Sequence, residues 1–72
     1  MINSSEFVVE ATQDLGDFYG WSILIGDDLT LDTSAKPQNG DFVLIGKSIQ
    51  KFNKQLDICG VVIYVGRAKV SL

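Results

Sequence analysis

The chain has 72 residues and a mass of 7.9 kDa, enough for one small domain that buries about 60% of the surface exposed by the unfolded chain. Because 46% of its residues are apolar and 21% are charged, it is too hydrophobic to be disordered. It contains no histidine, which excludes catalytic sites built on histidine and removes the commonest nitrogen ligand of zinc, copper and iron. We therefore expect one domain over residues 1–72 without a cofactor or a bound metal.

The single cysteine and the hydropathy pattern indicate the environment of the protein. Cys59 lies in an apolar run over residues 58–65, where a buried, unreactive thiol and a reducing compartment are expected. No apolar stretch approaches the ~20 residues that cross a bilayer, and residues 1–10 lack a basic start followed by a long apolar segment. The sequence therefore predicts a cytoplasmic protein without membrane contact.

Charge is divided unevenly along the chain. Residues 1–32 contain seven acidic and no basic residues, whereas residues 33–72 contain six basic and two acidic residues. One interpretation is that acidic and basic strands pair within the fold and partly cancel. The other is that the charges guide contact with a second copy or another protein. Nucleic acid is not an expected partner, because six basic residues without a basic aromatic cluster give a weak electrostatic footprint.

The apolar spacing of the first half predicts strands. The chain has fourteen Val and Ile residues and no helical stripe longer than two turns. A first strand begins at residues 7–9, residues 16–21 form a turn or loop, and residues 21–25 form a short strand or a packed loop. Alternation of apolar and polar residues over 29–32 predicts a strand that faces the core at every second residue.

The second half is predicted as a loop, a hairpin, a central strand and an edge strand. The loop contains Pro37 and the turn dipeptide Asn39-Gly40, and the hairpin turns near Gly46. The loop covers residues 33–40, and the hairpin pairs residues 42–45 with residues 47–52. The central strand covers residues 59–65 and is expected to be buried on both faces. The edge strand covers residues 69–72.

We expect the centre of the core to consist of side chains from three strands. They are Leu29, Leu31, Val43, Ile45, Val61 and Ile63. The resulting fold class is mostly β, a small and mainly antiparallel domain.

The order of the short motifs points to a known family. Residues 26–32 begin with Gly-Asp, a spacer holds Pro37, residues 39–45 contain a second Gly-Asp, and residues 58–62 end in Gly-Val-Val. Over about residues 6–66 this order resembles the peptidase domain of LexA-like proteins, which include self-cleaving repressors and UmuD-like mutagenesis proteins. The resemblance implies coiled β-hairpins in a barrel-like body, similar to the LexA C-terminal domain.

The resemblance also implies that the catalytic pair is lost. The family's nucleophilic serine falls at Phe18, and its base lysine falls at Gln50. Lys51 is adjacent, but alternation along a strand points it to the opposite face. A shift of one residue would restore the lysine and not the serine. The expected protein is a pseudoenzyme with a degenerate site.

The best functional hypothesis is therefore a non-catalytic protein-interaction module. It would self-associate, or modulate a related repressor or mutagenesis protein of the SOS response. One alternative is a small peptidase or hydrolase with a displaced dyad of Ser48 and Lys51. The other is a phage- or plasmid-borne structural β protein of unrelated origin.

Two groups of residues are candidates for protein contact. Tyr19 and Trp21 form an aromatic cluster with Phe18, which serves either as core and rim packing or as a contact patch. The C-terminal segment is apolar and basic, and it is predicted to pair with a strand edge of a neighbouring molecule. Its candidate residues are Arg67, Lys69, Val70 and Leu72.

A cation site at Asp27, Asp28 and Asp32 is not expected, because the spacing lacks the ligand count and the closing glutamate of a calcium loop.

Overall fold

The computed structural model describes residues 5–55 and 57–67, and these ranges contain seven β-strands and no helix. The mostly β fold class predicted from the sequence is confirmed. The strands are β1 (Glu6–Glu10), β2 (Gly16–Phe18), β3 (Trp21–Ile23), β4 (Asp28–Asp32), β5 (Phe42–Ile45), β6 (Ser48–Lys51) and β7 (Gly60–Gly66).

Five strands form one sheet in the order β1-β4-β7-β5-β6, and each neighbouring pair is antiparallel. β2 and β3 form a separate hairpin. The predicted central strand is β7, in the middle of the sheet. The sheet is open rather than closed into a barrel, so β1 and β6 are its edges within the described ranges. The predicted strand at 69–72 lies outside the described residues.

Two tight turns explain the hairpins. Tyr19 and Gly20 connect β2 to β3 with φ of 49° and 88°, the pair of left-handed residues that a type I′ turn requires. Gly46 has a φ of 61° in the two-residue turn between β5 and β6, as the sequence predicts. The sequence assigns residues 16–21 to a turn or loop and misses β2, because three residues that include Gly16 and Asp17 show no apolar alternation.

The main core lies on one face of the five-stranded sheet, which we call the inner face. Leu29 and Leu31 are fully buried there, as their alternation with Thr30 and Asp32 predicts. The buried cluster consists of Ala11, Ile23, Leu29, Leu31, Phe42 and Val62. The β2–β3 hairpin contributes Ile23 to it and therefore packs against the sheet.

β7 is covered on both faces in its first half only. Val61 and Val62 are both buried, whereas Ile63 is 43% exposed. The expectation of Ile63 in the core is therefore wrong. Ile63 is exposed because β7 contains a β-bulge. Thr30 pairs with Tyr64 and Leu31 pairs with Val62, so Ile63 is an extra residue with no partner on β4.

The other predicted core residues, Val43, Ile45 and Val61, lie outside the main cluster. Val43 and Val61 pair with each other and are buried. Alternation along β5 places them on the face opposite Phe42. Ile45 is only half-buried.

Cys59 is exposed, so the expectation of a buried thiol is wrong. The residue precedes β7, and its N–H donates to the carbonyl of Leu44 at 2.7 Å. It thus lies at the end of the sheet rather than inside the strand.

Candidate functional site

Phe18 and Gln50, the positions of the degenerate family site, occupy different environments. Phe18 is half-buried against the core, and its ring lies 6.4 Å from that of Phe42. Gln50 pairs with Val43 and is exposed. Because Ile49 packs against the core, alternation along β6 points Gln50 away from it.

Lys51 is the residue of β6 that contacts the β2–β3 hairpin. Its Nζ lies 5.2 Å from the centroid of the Phe42 ring and donates to the carbonyl of Asp17 at 3.4 Å. Lys51 therefore lies next to Phe18, which is the position of the family's serine. A shift of the alignment by one residue would place Lys51, instead of Gln50, at the position of the family's base lysine. A phenyl ring occupies the position of the serine, so the neighbouring lysine has no hydroxyl there to activate.

Tyr19 ties the hairpin to the loop before β5. Its hydroxyl donates to Oδ1 of Asp41 at 2.7 Å, and its ring meets that of Phe18 edge-on at 4.9 Å. The hydrogen bond to the Asp41 carboxylate raises the pKa of Tyr19 above its ordinary value of 10.0. These contacts hold a largely exposed aromatic ring in one position.

Trp21 and Arg67 form a second cluster around a buried carboxylate. Asp27 is 1% exposed and accepts two hydrogen bonds from Arg67, from Nε at 2.7 Å and from an Nη at 3.0 Å. It also accepts the backbone N–H of Leu24 at 2.9 Å. These donors, the guanidinium first, lower the pKa of Asp27 to about 2. The Arg67 guanidinium also stacks on Trp21, 4.8 Å from the ring centroid.

We call the surface beside this cluster the outer face. A row of paired residues, Val8, Thr30 and Tyr64, crosses β1, β4 and β7 on the face opposite Leu29 and Leu31. Val8 is 51% and Tyr64 is 64% exposed. A shallow depression is lined by these three residues together with Arg67. Because Arg67 also contacts Trp21, the outer face continues to the indole.

Carboxylates flank the apolar row of the outer face. Glu6 pairs with Asp32, and Glu10 pairs with Asp28, so like charges stand directly opposite each other. The interpretation that acidic and basic strands pair within the fold is therefore not what the sheet shows. Within residues 5–55 and 57–67 the one ion pair joins Arg67 to Asp27. The acidic strands β1 and β4 instead pair with each other.

A groove of about 480 Å³ lies between the end of β1 and the turn of the β5–β6 hairpin. β1 and the loop after it line one side, and the β5–β6 hairpin lines the other. The half-buried side chains of Val9, Leu15, Leu44 and Ile49 provide its apolar floor. Glu10 and Lys47 lie on opposite rims.

The displaced dyad is not assembled in the described part of the chain. Ser48 lines the groove and pairs with Ile45, whereas Lys51 pairs with Phe42. Three residues apart on one strand, the two side chains point to opposite faces.

Sequence reasoning identifies Trp21 and Arg67 but misses Asp27 and Tyr64. Asp27 meets Arg67 across 40 positions of sequence, and no local pattern links them. Tyr64 alternates with the half-buried Val65, and that alternation was the available signal. Lys69, Val70 and Leu72 lie outside the described residues.

The described ranges contain no group of three or more His, Cys, Asp or Glu residues placed to hold a metal ion. They also contain no helix that could cross a membrane.

Comparison of the chain with protein-family models, curated proteins and solved structures gives no match. The resemblance to LexA-like peptidase domains therefore remains a prediction from the motifs.

Proposed function

We propose that this protein is a non-catalytic protein-interaction module that self-associates through the outer face. The observation that carries the proposal is the continuous exposed surface of Trp21, Arg67 and Tyr64. Trp, Tyr and Arg are the residues most enriched among those that dominate binding energy at protein interfaces. Arg67 is held in place by two hydrogen bonds to buried Asp27, so little side-chain entropy is lost when it meets a partner.

The charge of the outer face favours a basic partner, and a second copy provides one. Glu6, Asp28 and Asp32 flank the apolar row, and none of them forms an ion pair within the described ranges. Two exposed lysines, Lys47 and Lys54, lie in and after the β5–β6 hairpin. Contact between this hairpin and the outer face of a neighbour would neutralise both surfaces. Such a head-to-tail contact is heterologous rather than two-fold symmetric.

We propose a non-catalytic protein for two reasons. Phe18 stands where the family has its serine, and the side chain of Ser48 points away from Lys51. The Lys51 amine contacts the carbonyl of Asp17, next to Phe18, and Phe18 has no hydroxyl. If the resemblance to LexA-like domains reflects common origin, a related repressor or mutagenesis protein would be a second partner for the same surface.

Sedimentation over a concentration series at low and high salt tests self-association. We expect association that weakens as salt rises, because screening shortens to about 3 Å at 1 M. A matched variant, Tyr64→Ser, should weaken association at every salt concentration and leave the salt dependence unchanged.

A charge-exchange experiment tests the geometry of the contact. The double variant Glu6→Lys, Asp28→Lys reverses the outer face, and the double variant Lys47→Glu, Lys54→Glu reverses the hairpin. Each should be monomeric alone, and a mixture of the two should associate. A monomeric parent protein at all concentrations in low salt, or no association in the mixture, would contradict the proposal.

A further inference from the structure

The turn between β3 and β4 exposes two apolar side chains. In this β3–β4 turn, residues 24–27, the N–H of Asp27 donates to the carbonyl of Leu24 at 3.0 Å. Gly26 has a φ of 92°, a left-handed value that glycine accommodates. Leu24 is 41% and Ile25 is 65% exposed. Contact with a partner would bury apolar surface that folding leaves exposed.

Internal hydrogen bonds fix the β3–β4 turn. Each of its four backbone N–H groups donates to an acceptor within the molecule, at distances from 2.8 to 3.0 Å. The turn can therefore enter an apolar site without leaving a backbone donor unpaired, and it loses little conformational entropy there. The acceptors are the carboxylates of Asp27 and Asp14 and the carbonyls of Ala11 and Leu24.

We propose that the β3–β4 turn of one molecule inserts into the groove of a second copy. The inference rests on the proposed self-association and supplies the apolar centre of that contact. The groove, about 480 Å³ in volume, is larger than the side chains of Leu24 and Ile25 together. Burial of both side chains removes apolar surface of both copies from water. The floor that they would contact consists of Val9, Leu15, Leu44 and Ile49.

One chain carries both parts but does not join them. The loop after β1 separates them, because Ala11 and Asp14 accept hydrogen bonds from the turn whereas Leu15 lines the groove. These bonds hold the turn outside its own groove, and neither Leu24 nor Ile25 is part of the lining. A second copy offers an open groove to the same turn. The contact is heterologous, like that between the outer face and the β5–β6 hairpin.

Charges beside the two parts are complementary. Asp28 follows the turn directly and belongs to the outer face, whereas Lys47 lies on the groove rim in the β5–β6 hairpin. Insertion of the turn would bring Asp28 toward Lys47 of the neighbour. Glu10 on the other rim would meet Arg67, which lies in the same depression as Asp28. The insertion thus continues the interface proposed for the outer face.

Intermolecular broadening in a mixed sample tests the insertion directly. One component is the unlabelled full chain with a nitroxide on Ser22→Cys in a Cys59→Ser background, and the other is the parent protein labelled with ¹⁵N. Ser22 is exposed, three residues before Ile25. We expect the strongest broadening at the amides of Leu15 and Ile49. Association with the strongest broadening at Thr30 of the outer face would overturn the insertion and leave self-association intact.

Two substitutions remove the contact from either side. Ile25→Ser should raise the dissociation constant about tenfold or more, since a buried apolar side chain is lost, and Ser48→Trp should do the same by filling the groove. Gln38→Trp, at an exposed position outside the groove lining, is the matched control and should associate like the parent. Thermal melts check that the variants fold.

These variants separate the two proposals. If Tyr64→Ser weakens association while Ile25→Ser and Ser48→Trp do not, the outer face stands as the interface and the insertion is wrong. If only Ile25→Ser and Ser48→Trp weaken it, the insertion stands without the outer face. A parent protein that is monomeric at all concentrations would overturn both.

The alternating segment of residues 68–72 is the rival occupant of the groove. Arg67, from which it continues, lines the outer-face depression and not the groove. The double variant Val70→Ser, Leu72→Ser removes its apolar side chains, and it should associate like the parent. Chemical-shift changes at Leu15 and Ile49 of the dilute monomer on this substitution would assign the groove to that segment and overturn the proposal.

Discussion

The two faces of the sheet differ although the same strands build both. On the inner face, Leu29, Leu31 and Val62 are buried. On the outer face, Val8 and Tyr64 are largely exposed between carboxylates that stand opposite each other. The inner face has the composition of a folding core, whereas the outer face combines apolar exposure with charge repulsion, which lowers stability. Substitutions on the two faces should therefore separate stability from association.

The largest effect is expected from truncation of the inner face. Leu31→Ala should lower the free energy of unfolding by ~2–5 kcal/mol, because it removes a fully buried side chain and leaves a cavity. Ile63→Ala should cost clearly less, since Ile63 is a partly exposed bulge residue. Urea denaturation of both variants measures the difference. Equal losses would show that the bulge assignment is wrong.

Lowering the pH should remove the stability that Asp27 contributes to the folded protein. The pKa of this carboxyl falls from its ordinary 3.8 to about 2 in the folded protein. Between these values the unfolded chain binds more protons, so the stability that Asp27 provides is complete above about pH 4 and is lost as pH falls through 2.

The control for this prediction is Asp27→Asn. The variant should be less stable at neutral pH, because Arg67 loses its charged acceptor, and its stability should fall less between pH 4 and 2. Asp32, whose pKa is also lowered, chiefly by the Ser34 hydroxyl, contributes equally to both proteins. Thermal melts across this range are the measurement, and identical pH profiles would contradict the prediction.

The sequence predicts those features of the fold that depend on neighbouring residues, and it misses those that depend on pairing between distant strands. Alternation identifies Leu29 and Leu31, and the glycine turn identifies the hairpin at Gly46, because both are local patterns. The bulge at Ile63 is set by pairing with β4, so it has no local signal. The groove brings together residues 9–15 and 44–49, and only the strand order could place them together.

A smaller effect is expected on the outer face, and it has the opposite sign to truncation of the core. Asp28→Lys replaces a like-charge cross-strand pair with Glu10 by an attractive one. We expect the free energy of unfolding to rise by ~0.2–1 kcal/mol, while self-association weakens. Urea denaturation and sedimentation of one preparation measure both changes, and Asp28→Asn is the control without charge reversal. Loss of stability in Asp28→Lys would show that the repulsion has no energetic consequence.

No effect at all is expected when the protein is incubated with a fluorophosphonate, which labels activated serines. Ser48 and Lys51 point to opposite faces of β6, and Phe18, which follows the Asp17 carbonyl that Lys51 contacts, supplies no hydroxyl. A serine without a positioned base is a weak nucleophile near neutral pH. Mass spectrometry of the intact protein should show no adduct after incubation, with Ser48→Ala as the matched control. An adduct on the parent protein that is absent from Ser48→Ala would replace the non-catalytic proposal with a hydrolase that uses the groove.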